Sequence, residues 1–472
     1  MSQKRELSCI VLAAGQGTRM KSENPKVLFT VCGRPIVSYI LDAVSSLSPD
    51  RIVVVIGYAG DQVKRSIDDA WAKDNPWKGH LEFVWQEQQK GTAHAVACAR
   101  KALAGFDGDV LVLYGDSTPL LTGGLLQGFY QDYLCSSPAL SLVTSFVDDP
   151  ASYGRIVRDQ SGNVARIVEV RDLTGAEAEI KEVNAGIYLA GREELFDLLG
   201  EVKDDNAKHE FYLTDVVQIA SAKALRVSGY VARDPAWVQG INDRYELAKA
   251  EDMKRREILK GLALAGVTVR DPASTYVDYG VPVGQDTVIE PQTFLRGKTT
   301  IGSNCVIGPG AEILDSNVGD RTRIWFSVVE DSDVGCDVQI GPYSHLRPNT
   351  RLSRGVLVGN FAEIKNSLVG QGAKIHHHSY IGDTDMGEHV NIGAGTVTVN
   401  YDGIQKHRTI IEDGAFIGCN ANLIAPVKVG KGAYVAAGST INLEVPEGSL
   451  AIAREYQVNK EGWAARRKPK GR

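Results

Sequence analysis

The chain has 472 residues, of which 43% are hydrophobic and 23% charged, and its formal net charge is −6. At roughly 100–200 residues per domain, this length predicts several domains with sizeable cores. The mild acidity argues against a nucleic-acid-binding protein, which needs a basic face, and against a polybasic surface that docks on membranes.

Cysteine usage and hydropathy narrow the class further. The seven cysteines are odd in number and no two have C-x-x-C spacing, which is unlike a disulfide framework or a zinc ribbon. No stretch approaches the ~18 consecutive apolar residues of a membrane span, and the first apolar run is too short for a secretory signal. We therefore expect a cytoplasmic protein that does not insert into a membrane.

The first half of the chain alternates strand and helix patterns. Continuous apolar runs predict buried strands at residues 8–14, 51–57 and 109–116. Helical patterns lie between them, at residues 35–46 and 92–103. This alternation predicts an α/β domain with a Rossmann-like, mostly parallel sheet, which we assign to residues 1–243. Ligands of such sheets bind beyond the carboxyl ends of the strands, so the loops there are the expected site.

A glycine-rich loop follows the first predicted strand. It reads LAAGQGTRM over residues 12–20, and Lys26 lies shortly after it. Small residues let backbone N–H groups approach an anion, while Arg19 and Lys26 add cations that suit a polyphosphate. The loop lacks both the third glycine of a dinucleotide fingerprint and the lysine of a Walker A motif. A tight strand-to-helix turn without a ligand is the alternative.

A helix and a repeat fill the second half. Residues 244–264 combine good helix formers with i,i+4 acid–base pairs and contain no proline, so we assign 244–268 to a connecting helix. Aliphatic residues then recur every six positions, as at Ile289, Leu295, Ile301, Ile307 and Ile313. Period six is the hexapeptide signature of a left-handed parallel β-helix.

We assign residues 269–458 to this prism and 459–472 to a basic tail. About 150 residues of repeat at about 18 per coil, with ~4.8 Å between coils, predict about eight or nine coils and a length of roughly 40 Å. The period fails over residues 399–409, VNYDGIQKHRT, which predicts an inserted loop on one face. Such insertions often mark the binding face.

Several segments carry a family resemblance. G-x-G-T-R-M with a downstream P-K resembles the signature of sugar-1-phosphate nucleotidyltransferases. QEQQKGTAHA, YGD, YGRI, IVE, VNAGI and GIN follow in family order, beginning at residues 86, 114, 153, 167, 183 and 240. Over nearly the whole chain, the sequence resembles the bacterial bifunctional N-acetylglucosamine-1-phosphate uridylyltransferases/glucosamine-1-phosphate N-acetyltransferases.

The resemblance implies that the first half transfers UMP from UTP to N-acetylglucosamine-1-phosphate. This reaction brings many negative charges together, so catalysis is mainly positioning and charge neutralisation, here by Arg19, Lys26 and Mg²⁺. The implied metal ligands are Asp116 and Asn242, whose oxygens suit Mg²⁺. The residues implied for UTP and UDP-N-acetylglucosamine are Leu12, Ala13, Ala14, Gly15, Lys26, Gln86, Gly91, Thr92, Tyr114, Gly115, Asp116, Gly154, Glu169, Asn184 and Asn242. The segment after Asp116, Ser117-Thr118-Pro119-Leu120, has one residue more than the family usually has.

The second half resembles the acetyltransferase part of the same enzymes in LRP, EIK, KIHHHSYIGD, NIGAGT and NYDG, which begin at residues 346, 363, 374, 391 and 400. Acyl transfer to an amino sugar needs a base near neutral pH, and the resemblance implies His377. It implies Arg347, Lys365, Tyr380 and Asn391 for glucosamine-1-phosphate. For acetyl-CoA it implies Ala394, Asn400, Tyr401, Cys419, Ala437 and Arg454, although the family often has serine at position 419.

Alternatives remain open at this stage. His376 and His378 could form a zinc pair, or the histidine run could be a solvated loop. The whole protein could be a single-activity nucleotidyltransferase with a non-catalytic β-helix, or a scaffold. The family resemblance also carries expectations about assembly and product. It implies a homotrimer with acetyl sites between subunits and a basic tail that reaches a neighbouring subunit. It also implies a product that feeds cell-envelope precursors.

Overall fold

The computed structural model describes residues 5–73, 75–150, 153–206 and 209–467. The chain divides into two compact units, Met1–Lys254 and Arg255–Arg472. The division falls inside the predicted connecting helix, which spans Arg244–Leu264. No helix in the described part of the chain is both long and apolar enough to cross a membrane.

Strands and helices alternate through the first unit. Its strands are β1 Glu6–Ala13, β2 Thr30–Val31, β3 Arg34–Pro35, β4 Arg51–Ile56, β5 His80–Trp85, β6 Gly108–Tyr114, β7 Leu140–Phe146, β8 Arg155–Arg158, β9 Val164–Val168, β10 Glu182–Gly191 and β11 Val227–Val231. Its helices are α1 Ile36–Ser45, α2 Gly60–Ser66, α3 Thr92–Cys98, α4 Gly123–Ser136, α5 Arg192–Leu199, α6 Asp215–Ala222 and the start of α7, Arg244–Leu264. The helix predicted at 92–103 ends at Cys98, because the chain continues in turns up to Gly105.

The main sheet has the strand order β11-β7-β10-β6-β1-β4-β5, and it is parallel except at β10 and the β8–β9 hairpin. Side chains of the central strand β1 alternate between two cores: Ile10 and Leu12 pack on one side, and Cys9 and Val11 on the other. Burial on both faces explains why β1 reads as a continuous apolar run. The register of β1 with β4 and β6 brings three strand ends to one edge of the sheet.

The second unit is a three-sided parallel β-helix. Its first face consists of Thr268–Val269, Val288–Ile289, Val306–Ile307, Arg323–Ile324, Gln339–Ile340, Leu357–Asn360, Lys374–His377, Asn391–Ile392, Phe416–Ile417, Tyr434–Val435 and Leu450–Ala451. The second consists of Tyr276–Val277, Phe294–Arg296, Glu312–Leu314, Val328–Glu330, His345–Leu346, Glu363–Lys365, Tyr380–Gly382, Val397–Val399, Asn422–Ile424 and Thr440–Ile441. The third consists of Thr300–Ile301, Asn317–Val318, Ser332–Val334, Thr350–Leu352, Leu368–Val369, Thr384–Met386, Thr409–Ile411 and Val427–Val429.

The six-residue repeat places one aliphatic side chain of each short strand in the interior. Ile375, Ile392, Ile417 and Val435 pair in register on successive coils and are buried. Across residues 268–451 the three faces have eleven, ten and eight strands, so the prism is longer than the predicted eight or nine coils. The estimate is low because it counts only about 150 residues of repeat. The strands of the prism extend over residues 268–451. A short helix, α8 Trp463–Arg466, follows the prism.

Candidate functional site

A cleft of about 530 Å³ opens in the first unit at the carboxyl ends of β1 and β6. Nine of the predicted site residues line it: Arg19, Lys26, Thr92, Tyr114, Asp116, Gly154, Glu169, Asn184 and Asn242. These positions come from loops far apart in the sequence, which the parallel sheet collects at one edge.

Two cations and two oxygen donors converge in this cleft. The Lys26 side chain is buried, and its Nζ lies 2.5 Å from Asp116 Oδ2 and 3.4 Å from Asn242 Oδ1. Arg19 donates a second hydrogen bond of 2.7 Å to the same Asn242 oxygen. A carboxylate oxygen and an amide oxygen that face one cation are a donor set of the kind that Mg²⁺ prefers. The residues present therefore fit a magnesium ion.

Gly17 allows the loop to fold back over Lys26. Its φ is +69°, in the left-handed region that glycine adopts without strain. A Cβ at this position would lie 2.5 Å from Lys26 Cβ, far inside van der Waals contact. The glycine of the G-T-R-M signature is thus required by close packing against the buried lysine.

The two oxygen donors, Asp116 and Asn242, are held by their own neighbours. The carbonyl of Asp116 accepts a hydrogen bond of 3.2 Å from the N–H of Ile241, which joins the two loops. The Asn242 N–H donates to Glu246 Oε2 at 2.5 Å, in the first turn of α7. The segment after Asp116 forms a buried turn, in which Thr118 Oγ1 accepts from the Leu120 N–H at 3.2 Å.

The predicted nucleobase residues lie beside the cleft. Gln86 is buried on the segment after β5, and its Nε2 donates to the Gly91 carbonyl at 3.0 Å. Gly115 N–H donates to the Leu12 carbonyl at 2.8 Å, which ties the end of β6 to the glycine-rich loop. The structure thus groups the remaining predicted positions at the same sheet edge, namely Leu12, Ala13, Ala14, Gly15, Gln86, Gly91 and Gly115.

Two polar side chains that line the same cleft, Asn184 and Glu169, make hydrogen bonds within the protein. Asn184 donates to the Tyr188 hydroxyl at 2.7 Å and accepts from the Gly186 N–H at 3.0 Å. Glu169 Oε1 accepts from the Thr214 hydroxyl at 3.2 Å. Burial first, and then the charge of Glu169, raises the pKa of Asp215 to about 6. This part of the cleft therefore holds closely spaced carboxylates.

Some cleft residues were not singled out from the sequence. Arg171 and Tyr212 line the cleft but belong to no recognisable motif, so the sequence carried no signal for them. Tyr153 stood within the YGRI segment without an assigned role. Its hydroxyl accepts from the Gly240 N–H at 2.9 Å, so it fixes the loop that carries Asn242.

In the prism, His377 lies at the end of the strand Lys374–His377 and is exposed. Its Nδ1 is 3.1 Å from Asn360 Oδ1 on the preceding coil, in register with it. Because an amide oxygen can only accept, this contact places the ring proton of a neutral His377 on Nδ1. Nε2 then carries the free lone pair that a general base needs.

Cations gather on the second face of the prism. Arg347 donates to Glu363 Oε1 at 2.8 Å, and Lys365 lies on the next coil. The ammonium of Lys406 lies beside Lys365 and is the main cause that lowers the pKa of Lys365, with Arg347 adding to it. Lys406 belongs to the predicted inserted loop but was not predicted as a site residue. Like charges this close suit an anionic ligand.

A buried carboxylate anchors the inserted loop. Asp383 is 4% exposed, and its two carboxylate oxygens accept short hydrogen bonds from the side-chain amides of Asn366 and Asn400. The Asn400 amide also lies 3.4 Å from the Tyr380 hydroxyl. At the loop tip, the backbone N–H of Gln405 and then His407 lower the pKa of Asp402 to about 2. The loop is therefore held at its root and at its tip.

Three of the predicted acetyl-CoA residues form a column with His377 along one corner of the prism. His377, Ala394, Cys419 and Ala437 each lie two positions after a core residue of the first face, and those core residues pair coil to coil. The Arg454 guanidinium donates to the Ala437 carbonyl at 2.8 Å. The column starts at His377, so a cofactor lying along it would present its end to the predicted base. Tyr401, also predicted for acetyl-CoA, is exposed on the inserted loop, and Asn391 lies beside Lys374 on the first face.

The other two histidines of the run differ from His377. His376 is half-buried, and burial first, then the neighbouring His377 and Lys374, lowers its pKa. His378 lies at the corner with a positive φ of 40°. Within residues 5–73, 75–150, 153–206 and 209–467, no three His, Cys, Asp or Glu side chains are placed to hold one metal ion. The zinc alternative at His376 and His378 thus lacks a third ligand there.

Comparison with known proteins covers both units. Residues 9–207 match the model of the MobA-like NTP transferase domain, and residues 283–315 and 408–442 match the bacterial transferase hexapeptide repeats. The chain is 48% identical over 457 residues to the bifunctional protein GlmU of Geobacillus sp. (strain WCH70), covering 97% of each chain. It is 45% identical over 467 residues to the GlmU of Brevibacillus brevis, covering 99% of each.

The GlmU of Listeria monocytogenes serotype 4a is also 45% identical, over 96% of this chain and 97% of its own length. An alignment of this extent covers both units and the helix between them. Nucleotide-sugar chemistry of this kind uses a divalent metal, and the acetyltransferase half uses acetyl-CoA. The chain belongs to the GlmU family of bifunctional enzymes, which join a uridylyltransferase to a hexapeptide-repeat acetyltransferase in UDP-N-acetylglucosamine synthesis.

Proposed function

We propose that the residues grouped in the prism and in the first-unit cleft catalyse the two reactions, one after the other. The prism acetylates glucosamine-1-phosphate from acetyl-CoA, and the first unit then couples the product to UTP and releases pyrophosphate. The observation that carries this proposal is the column that begins at His377, together with the cations Arg347, Lys365 and Lys406 nearby. A β-helix used only for assembly needs neither feature.

In the acetyl transfer, the phosphate of the amino sugar binds the cations of the second face, which orients the sugar. Nε2 of His377 takes a proton as the sugar amine attacks the thioester carbonyl of acetyl-CoA. The C–N bond forms, the C–S bond breaks, and CoA leaves as a thiol. Tyr380 and Asn391 bind the sugar, and Ala394, Asn400, Tyr401, Cys419, Ala437 and Arg454 bind the cofactor.

In the uridylyl transfer, the sugar phosphate attacks the α-phosphate of UTP in line with the departing pyrophosphate. Arg19 and Lys26 neutralise the phosphate oxygens, and Glu169, Asn184 and Gly154 orient the sugar and the ribose. Gln86, Gly91 and Thr92 bind the base. Asp116 and Asn242 hold Mg²⁺, which supplies charge stabilisation to the reacting phosphates when it is bound.

The remaining assignments belong to the same proposal. We assign uridylyl transfer to residues 1–243, the link to 244–268, acetyl transfer to 269–458 and a basic tail to 459–472, whose last five residues lie outside those described. The hexapeptide repeat supports a homotrimer with acetyl sites between subunits. No disulfide joins any of the seven cysteines, all of them among the described residues, and this is consistent with a reducing cytoplasm.

The test measures both half-reactions on the same preparations of three proteins. His377→Ala is expected to lower acetyl transfer at least about 100-fold, the usual contribution of a general base, and to leave uridylyl transfer near wild type. Asp116→Ala is expected to do the reverse, because it removes a metal ligand. EDTA should stop uridylyl transfer of the wild type and spare acetyl transfer.

Two results would contradict the assignment. One is a folded His377→Ala or Asp116→Ala protein that has lost both activities, because that would mean the sites are not separate. The other is loss of acetyl transfer in EDTA with recovery on addition of Zn²⁺, which would favour a metal site at His376 and His378 instead.

A further inference from the structure

Next to the first-unit cleft, the Gln86 side chain has a second partner. Gln86 is 5% exposed, and its Nε2 lies 3.0 Å from the Gly91 carbonyl oxygen and 3.1 Å from Nδ1 of His94. A backbone carbonyl can only accept, so the atom that faces Gly91 is the amide nitrogen. Its second hydrogen then points at His94.

This arrangement fixes the tautomer of His94. A nitrogen that receives a hydrogen bond cannot itself carry a proton, so Nδ1 of His94 is bare and the ring proton is on Nε2. His94 and the Gly91 carbonyl both belong to the start of α3. The Phe211 carbonyl lies close to this turn: it accepts from the Ala93 N–H at 2.9 Å, and a Cβ on Gly91 would lie 2.5 Å from it. Both acceptors therefore belong to one turn that is tied to Phe211.

The oxygen of the Gln86 carboxamide is left for a ligand. Both amide hydrogens are used inside the protein, while no hydrogen bond from the described residues reaches Gln86 Oε1. Gln86 thus keeps an acceptor available to a ligand and no donor.

This matters because a free glutamine does not distinguish uracil from cytosine. Uracil has an N3–H donor, whereas N3 of cytosine is an acceptor, and an unrestrained carboxamide can turn over to pair with either. A carboxamide that presents only its oxygen can accept a hydrogen bond from the uracil N3–H. With cytosine, the same oxygen faces the N3 acceptor, and no hydrogen bond forms. Leaving such polar groups unpaired is the effective means of rejecting an analogue.

We propose that His94 is a positioning residue that locks the carboxamide of Gln86 with its oxygen toward the base, and so makes the site selective for a base with an imide N–H. The inference rests on the proposed function, which assigns Gln86 to the base. His94 acts through Gln86 and need not touch the nucleotide.

The test compares UTP with CTP as substrates of uridylyl transfer for wild type, His94→Leu, His94→Asn, Gln86→Ala and His80→Leu. His94→Leu removes the acceptor, and we expect the ratio of kcat/KM for UTP over CTP to fall about five- to tenfold, as for one lost hydrogen bond. His94→Asn restores an acceptor near the position of Nδ1, and we expect the ratio to stay within about twofold of wild type. His80 is exposed on β5, so His80→Leu is the matched control.

Acetyl transfer by the prism, measured on the same samples, normalises the amount of enzyme, and circular dichroism confirms that each variant is folded. Equilibrium binding of UTP and CTP is measured in parallel, so that a variant with slow turnover still gives a ratio. An unchanged ratio in His94→Leu, with a reduced one in Gln86→Ala, would overturn the lock and leave the base assignment intact. Equal losses in His94→Leu and His94→Asn would point to packing and also overturn it. An unchanged ratio in Gln86→Ala would remove the base assignment itself.

Discussion

The two units assemble their sites by different routes. In the prism, contacting side chains are one coil apart: Asn360 and His377 are separated by 17 positions, and Arg347 and Glu363 by 16. In the first unit, Arg19 and Lys26 reach Asn242 across 223 and 216 positions. A prism site is therefore set by the local repeat, whereas the cleft depends on the whole topology of the sheet.

The largest expected effects come from one glycine in each unit. Gly17→Ala forces a Cβ to 2.5 Å from Lys26 Cβ at a positive φ, so Lys26 must move away from Asp116. Gly359→Ala places a Cβ 1.9 Å from the His376 carbonyl oxygen, so the coil that carries Asn360 and His377 must shift. A small misplacement of a catalytic group lowers the rate about 100-fold. We therefore expect Gly17→Ala to lower uridylyl transfer by about this factor, and Gly359→Ala to lower acetyl transfer by about the same factor.

Assays of both reactions, with circular dichroism to confirm folding, measure these effects. The matched control is Gly191→Ala, because Gly191 has no neighbour within 4 Å of the added Cβ and no positive φ. It should leave both activities within about twofold of wild type. A Gly17→Ala enzyme with full uridylyl activity would show that the loop tolerates displacement of Lys26.

The same difference decides what could be predicted from the sequence. The prism follows from aliphatic residues at every sixth position, and the register of Ile289 with Ile307 and of Leu295 with Ile313 follows from that period. The strands of the first unit could also be predicted, because burial on both faces of a parallel sheet leaves continuous apolar runs. The spacing of Lys26, Asp116 and Asn242 gave no sign that they meet, and only the family resemblance grouped them.

Other features could not be predicted because they depend on three-dimensional packing. Lys406 is one of several polar residues in the inserted loop, and its approach to Lys365 is set by the anchoring of Asn400 to the buried Asp383. Arg171 reaches the cleft from a short turn with no regular pattern. The contact between Gln86 and His94 needs the turn at Gly91, whose geometry a sequence motif does not specify.

A second prediction concerns the charge of the prism site. Lys406→Ala removes one cation beside Lys365, and we expect the KM for glucosamine-1-phosphate to rise about tenfold with a smaller change in kcat, as for one charge-assisted contact. The effect should shrink at high salt, because exposed charges are screened. Uridylyl transfer should not change.

Lys428→Ala is the control for the loss of a lysine, because Lys428 lies on the third face and pairs with Glu412 at 2.8 Å. Steady-state kinetics at low and high salt measure both variants. If Lys406→Ala lowered kcat and left KM unchanged, Lys406 would not be a ground-state phosphate contact.

A third prediction separates the units by thiol chemistry. Cys419 is exposed in the column of residues proposed to bind acetyl-CoA, and Cys135 is exposed in the first unit. Cys305 is buried, and burial raises its pKa. Alkylation should therefore lower acetyl transfer before uridylyl transfer, because bulk at Cys419 blocks the cofactor channel, and acetyl-CoA should protect. Cys419→Ser should keep most activity and lose the sensitivity.

The time course of inactivation by iodoacetamide, with and without acetyl-CoA, measures this. Cys336, which is half-buried in the same prism, is the rival target. Inactivation of the Cys419→Ser enzyme at the wild-type rate would contradict the assignment of Cys419 to the cofactor channel. The same measurement on Cys336→Ser would then test the rival target.

The smallest expected effect is on stability and lies in the first unit, where carboxylates crowd together. Burial, followed by the charges of Glu169, Asp205 and Asp172, raises the pKa of Asp215 to about 6, against about 3.9 in an unfolded chain. The folded state then binds the proton more tightly, so this group lowers stability as pH rises from about 4 to 6, and the cost persists above that range. Asp215→Asn should therefore raise the melting temperature by a few degrees at pH 8 and leave it unchanged at pH 4.

Asp215 is also the first residue of α6, where the helix dipole favours a negative charge. Thermal unfolding at the two pH values decides between these opposing effects, because a lower melting temperature of Asp215→Asn at pH 8 would mean that the helix terminus outweighs the neighbouring carboxylates.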